Sequence, residues 1–92
     1  MGYEFEWHAG KAIGNLRKHG VSFEEAATVF ADPLSMLTND PDHSVAEERY
    51  ILLGMSARRR LLVVTYAERP PRTRLISARP ATRHERRQYE ED

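Results

Sequence analysis

LLVVTY (61–66) decides how the rest of this 92-residue chain is read. Leu61 and Val63 point to one side of an extended segment, Leu62 and Val64 to the other, so both faces are apolar. A strand with one wet face alternates apolar and polar residues, whereas a run apolar on both sides belongs at the centre of a sheet. RYILLG (49–54) precedes it and TRLISA (73–78) follows it, each with a strand signal of its own. The connections SARRR (56–60) and AERPPR (67–72) are short enough to join antiparallel neighbours. Upstream, LSMLT (34–38) is a further candidate strand and NDPDHS (39–44) a loop on turn chemistry.

The first third of the chain has a different rhythm. YEFEW (3–7) alternates aromatic and acidic residues and reads as a short edge strand. Lys11 to His19 reads as a helix with Ile13 and Leu16 on one face, stopped by Gly20. Ser22 to Glu25 is a capping box, in which hydroxyl and carboxylate reciprocally satisfy free N–H groups. It opens a second helix whose apolar side is Ala26, Ala27, Val29 and Phe30, ended by Asp32-Pro33. Pro80 closes the last strand, and Thr82 to Glu85 is a second capping box that opens a terminal helix. The expected class is α+β: an N-terminal strand and two helices, a curled antiparallel sheet of three to five strands, and a C-terminal helix, all in one domain.

That terminal helix buries little. Tyr89 is its one large apolar side chain, with Arg83, Arg86 and Arg87 around it. Pairs such as Arg86–Glu90 and Arg87–Glu91 suit a solvated surface. The arginines belong to a wider imbalance. Net charge is zero, yet eleven Arg lie between positions 49 and 87 against only Glu68 and Glu85. A planar guanidinium grips phosphate or carboxylate bidentately, so a polyanion or an acidic protein is the expected counterpart.

Several classes drop out. The absence of cysteine removes disulfides and thiolate zinc sites and fits a reducing cytoplasm. No apolar run approaches a membrane span, and no signal-peptide pattern opens the sequence. His8, His19, His43 and His84 form no i, i+4 pair, and the calcium-loop start at Asp40 lacks its Gly and Glu, holding Val45 and Ile51 instead. No metal or cofactor is expected. The remaining polar candidates sit at element ends, where a rigid scaffold presents chemistry: Lys18 and His19, Glu47 to Arg49, Arg79, and Tyr89.

In one register over nearly the whole chain, the sequence resembles the BrnT family of ribonuclease toxins. The residues that carry the resemblance are EFEW (4–7), NLRKHGVSFEEAATVFADPL (15–34), DHSVAEERY (42–50), LLVVTY (61–66) and RLISARPATRHERRQYE (74–90). It departs at His8-Ala9, where members often carry Asp-Pro. The first helix should therefore be frayed or weakly capped. The resemblance implies a RelE-like fold and a cytoplasmic endoribonuclease of a type II toxin–antitoxin pair. It also implies a ribbon-helix-helix antitoxin similar to BrnA, with operator DNA bound only through that partner.

Metal-free RNA cleavage needs a base for the 2′-hydroxyl, cations for the phosphorane, and an acid for the 5′-oxygen. Arg79 is the expected phosphate clamp, with Arg49 as its partner and Lys18 adding charge. His19 suits acid–base work near neutrality, with Glu48 the competing base. Tyr89 would stack on a base or donate a proton. Arg74, Arg83, Arg86 and Arg87 would follow the RNA backbone. Two other readings stay open: a non-catalytic RNA- or ribosome-binding module, and an interaction protein for an acidic antitoxin.

Overall fold

A computed structural model describes residues 3–40 and 48–91. The expected loop lies beyond the described residues from position 41 on, as do His43 and Glu47. The elements are β1 (Phe5–Glu6), α1 (Ala9–His19), α2 (Phe23–Thr28) with a 3-10 turn (Val29–Ala31), β2 (Met36–Asn39), β3 (Arg49–Met55), β4 (Leu61–Arg69), β5 (Arg72–Pro80) and α3 (Arg83–Glu90). They form one five-stranded sheet in the order β1-β5-β4-β3-β2. β4, which contains LLVVTY, is its central strand. β2 to β5 pair antiparallel, whereas β1 joins β5 in parallel, so the sheet is mixed.

Alternation on β4 divides the core. Leu62, Val64 and Tyr66 face α1 and α2, and meet Val21, Phe23, Val29 and Leu75 in the larger cluster. Trp7 packs edge-on to Phe23 at 5.8 Å, and Phe30 to Tyr66 at 4.9 Å. Leu61 and Val63 point the other way, into a smaller cluster with Leu53 that Met36, Ile51, Met55, Ala81 and Tyr89 complete. Gly54 lets the 3-10 turn lie close on β3: a Cβ there would stand 2.8 Å from Val29 Cγ1.

Helix α1 does not bury the face its apolar residues suggest. Ile13 and Leu16 are 59% and 52% exposed. Ala12 and Asn15 face inward instead. Beyond Arg74, β5 has no strand on its outer edge, and its polar groups there need partners. The Asn15 amide supplies them. Its Oδ1 accepts from Ala78 N at 3.0 Å, and its Nδ2 donates to Ala78 O at 2.8 Å and to Val21 O at 3.0 Å. One side chain thus stands in for a missing strand.

The caps also differ from expectation in two places. His8 is an effective N-cap: its Nδ1 accepts from Gly10 N at 3.1 Å and Lys11 N at 3.3 Å, so α1 is not left uncapped. At α2, Ser22 Oγ accepts from Glu25 N, but the Glu25 carboxylate does not turn back. It is buried and accepts instead from Ser56 Oγ and the Arg60 guanidinium. Arg60 also donates to Gly20 O, tying α1, α2 and the β3–β4 turn together. The second capping box is complete: Thr82 Oγ1 accepts from Glu85 N, and Thr82 N donates to Glu85 Oε1.

Candidate nucleic-acid interface

The face of the sheet under α3 carries the candidate site. Alternation and register place Arg49, Ile51 and Leu53 of β3 on it, beside Ala67, Thr65 and Val63 of β4. On β5 the same face holds Arg79 opposite Val63 and Ser77 opposite Thr65. A bulge at Thr65/Tyr66 shifts the register, so Arg74 comes opposite Ala67. Arg49 and Arg74 therefore flank Ala67 in one row across three strands. Arg79 lies four residues along β4 from that row, about 13 Å at the usual strand rise. Thr65 and Ser77, both half-buried, floor the space between.

α3 closes one end. Its inward stripe is Glu85, Gln88 and Tyr89; Glu85 and Gln88 border a cleft with Met36, Thr38, Ile51, Leu53 and Val63. Arg83, Arg86 and Arg87 are exposed. Arg86 pairs with Glu90 at 3.6 Å; the expected Arg87–Glu91 pair does not form.

Glu85 holds Arg79 from both sides. Arg79 Nη1 donates to Glu85 Oε1 at 2.9 Å and to Pro80 O at 3.2 Å, and Nη2 donates to Glu85 Oε2 at 2.8 Å. Hydrogen bonding from Arg79 pulls the Glu85 carboxyl down to about 2. The same pair raises the Arg79 pKa further. A guanidinium carries five N–H groups, so two remain for a substrate oxygen. Arg74 Nε is bound to Glu6 Oε2 at 3.1 Å, with Arg69 on the same carboxylate at 3.8 Å.

Tyr89 is an anchor. Its hydroxyl donates to Asp32 Oδ2 at 2.6 Å, while Asp32 also accepts from Met55 N and Leu34 N. That bond, with burial, pushes the phenol up to about 12. Burial alone would raise Asp32, but the three donors outweigh it and hold the carboxyl below its usual range. The local pattern marks Asp32 only as a helix stop and Glu85 only as a cap. The Tyr89 partner lies 57 residues away, beyond any local pattern.

The remaining candidates lie elsewhere. Lys18 and His19 end α1, about one turn beyond Asn15; among the described residues neither side chain is engaged in a hydrogen bond or ion pair. Glu48 accepts from Tyr50 O–H at 2.7 Å. Tyr50 packs on Tyr66, which ties Glu48 to the helix-covered face at the Ala67 end. The geometry thus unites Arg79, Glu85 and Tyr89, unites Arg49 with Arg74, and leaves Glu48 apart from both. Among the described residues no three His, Asp or Glu side chains gather as a metal-binding group. No helix there is long and apolar enough to cross a membrane.

A search of curated proteins gave no match. A solved structure, the ribonuclease toxin BrnT of Brucella abortus, superposes with a TM-score of 0.64 over 88% of this chain and 99% of that one. At 19% identity this likeness speaks for the fold. The family model of the ribonuclease toxin BrnT, of type II toxin–antitoxin systems, matches residues 7–85. With the match running from the aromatic segment before α1 to the Glu85 that holds Arg79, the chain belongs to the BrnT family of ribonuclease toxins.

Proposed function

We propose that this toxin is a metal-independent endoribonuclease that seats RNA on the arginine-bearing face of its sheet. The observation that carries the reading is the Arg79 guanidinium, fixed by Glu85 at the edge of an open face that Arg49 and Arg74 border at its far end. A cation already held in place needs no reorganisation as charge builds on the phosphorane. The RNA 2′-oxygen attacks phosphorus as its proton leaves to a base. The bond to the 5′-oxygen breaks and that oxygen takes a proton. The products are a 2′,3′-cyclic phosphate and a free 5′-hydroxyl. His19, at the end of α1 with Lys18 beside it, is the proposed proton-transfer group; Glu48 is its competitor. Tyr89, with its proton committed to Asp32, serves docking more than acid catalysis. Arg74, Arg83, Arg86 and Arg87 contact the backbone. The partner is a ribbon-helix-helix antitoxin of the BrnA kind, operator DNA is bound through it, and the site of action is the cytoplasm.

Purified protein is incubated with RNA with and without EDTA. Cleavage persists under chelation and leaves cyclic phosphate ends, and Arg79→Ala lowers the rate about a hundredfold to a thousandfold, the scale of one lost transition-state donor. Activity that disappears with EDTA and returns with magnesium or zinc overturns the metal-free scheme. RNA that is bound but never cut makes the protein a binding module.

A further inference from the structure

Arg58 and Arg59 sit at the tip of the β3–β4 hairpin, outside the face that holds Arg79. The turn closes with Ser56 N donating to Arg60 O at 2.8 Å and Arg59 N donating to Ser56 O at 2.9 Å. Arg59 has φ 65°, and it is the one non-glycine residue with a positive φ among the described residues. A left-handed position costs any residue with a Cβ, and Gly or Asn fills it with less strain. No hydrogen bond or ion pair offsets that cost through the side chain: both arginines are exposed, and among the described residues neither guanidinium forms one, the Arg58 charge acting only at longer range to help hold the Glu25 carboxyl low. Their neighbour Arg60 shows the contrast. Its guanidinium is occupied by Glu25 and Gly20 O, and so it has a structural role. The turn needs a left-handed residue here, and its being an arginine rather than a glycine points to use of the side chain by a ligand.

We infer that this tip is a second phosphate-binding point for RNA, gripping the backbone away from the cut. The inference rests on the proposed RNA-cleaving function. The tip joins β3 to β4, the strands that with β5 build the arginine-bearing face, and each exposed guanidinium there can meet phosphate bidentately.

The test compares the wild type with Arg59→Gly, Arg59→Asn and the double variant Arg58→Ala/Arg59→Gly, on single-stranded RNA over a range of salt. Glycine and asparagine both accept the left-handed backbone, so thermal stability stays equal or rises. The double variant raises KM several-fold and leaves kcat within about twofold. Its plot of log affinity against log salt is shallower by about 0.7 per arginine removed, the value for single strands. Arg58→Lys/Arg59→Lys keeps the wild-type slope. A double variant with wild-type affinity and slope overturns the inference while the cleavage reading stands. Wild type that binds no RNA overturns both. A double variant that loses only antitoxin binding assigns the tip to the protein partner and overturns the RNA assignment.

Discussion

The face of the sheet under α1 and α2 is closed by one cluster of buried side chains, among them Phe23, Val29, Leu62, Val64 and Leu75. The face under α3 is closed only at one end, by Tyr89 over Leu53, Leu61 and Val63, and then gives way to Thr65, Ser77 and arginines. The same strands build both. β4 supplies apolar residues to each side, and its neighbours decide which side stays wet. The contrast separates two tasks: one face contributes most of the stability, and the other presents charge on a surface that the first holds rigid.

The largest test of this contrast is Phe23→Ala. The ring is fully buried on the helix side and meets Trp7 edge-on. Its loss costs about 3–5 kcal/mol, a large share of the roughly 5–10 kcal/mol expected for such a domain. Ser77→Ala on the open face costs well under 1 kcal/mol by comparison, the range of ordinary surface changes. Denaturant midpoints check both, and equal losses would mean that the two faces are not specialised.

Acid provides the next test. The Glu85 carboxyl lies at about 2 in the folded protein against 4.5 for the free group, and Asp32 is also lowered. Between those values the unfolded chain binds more protons than the folded one, so stability is fully present above about pH 4.5 and falls as pH drops toward 2. Both carboxylates hold α3, through Arg79 and Tyr89. Amide exchange in α3 should therefore accelerate at a higher pH than the one at which Trp7 fluorescence, a reporter of the opposite face, changes. Simultaneous loss of both signals would show a single cooperative unit with no weaker side. Glu25, buried on the helix side, is also lowered, chiefly by its hydrogen bond from Arg60, so acid weakens that side too.

A loss much smaller than that of Phe23→Ala is expected of Tyr89→Phe. It keeps the ring over Leu53 and Val63 and removes one donor to Asp32, which retains Met55 N and Leu34 N. The cost is about 1 kcal/mol, read as a lower melting temperature, with cleavage unchanged. Cleavage lost in a folded, RNA-binding Tyr89→Phe protein would make the phenol a proton donor and place chemistry at the docking end of the face.

Local sequence signals match the structure where the determinant is short-range and depart from it where it is not. LLVVTY sits on the central strand because a run apolar on both sides has few other places to lie. Thr82 and Glu85 form their capping box because the two residues lie within one helical turn. Helix α1 broke the rule that apolar residues face inward. The strand edge it covers requires hydrogen bonds, so Asn15 faces it and Ile13 and Leu16 stay outside. His8 took over a cap because its ring nitrogen reaches the first free N–H groups, a role its residue type does not announce.

By itself the sequence determined the element order, the strand at the sheet centre, the excess of arginine in the second half and the family resemblance. The first three follow from neighbours a few residues apart or from composition, and the resemblance rests on matching residues along nearly the whole chain. The tertiary structure decided which charges are already paired and which face the solvent. Arg60 meets Glu25 across 35 positions, Tyr89 meets Asp32 across 57, and Asn15 meets Ala78 across 63. Arg79 is the instructive middle case: Glu85 is only six residues away, yet Pro80 and the turn into α3 had to fold back before the two could meet. Such pairings depend on how the chain closes on itself. Many closures satisfy the same local pattern, and only the packed core selects one of them.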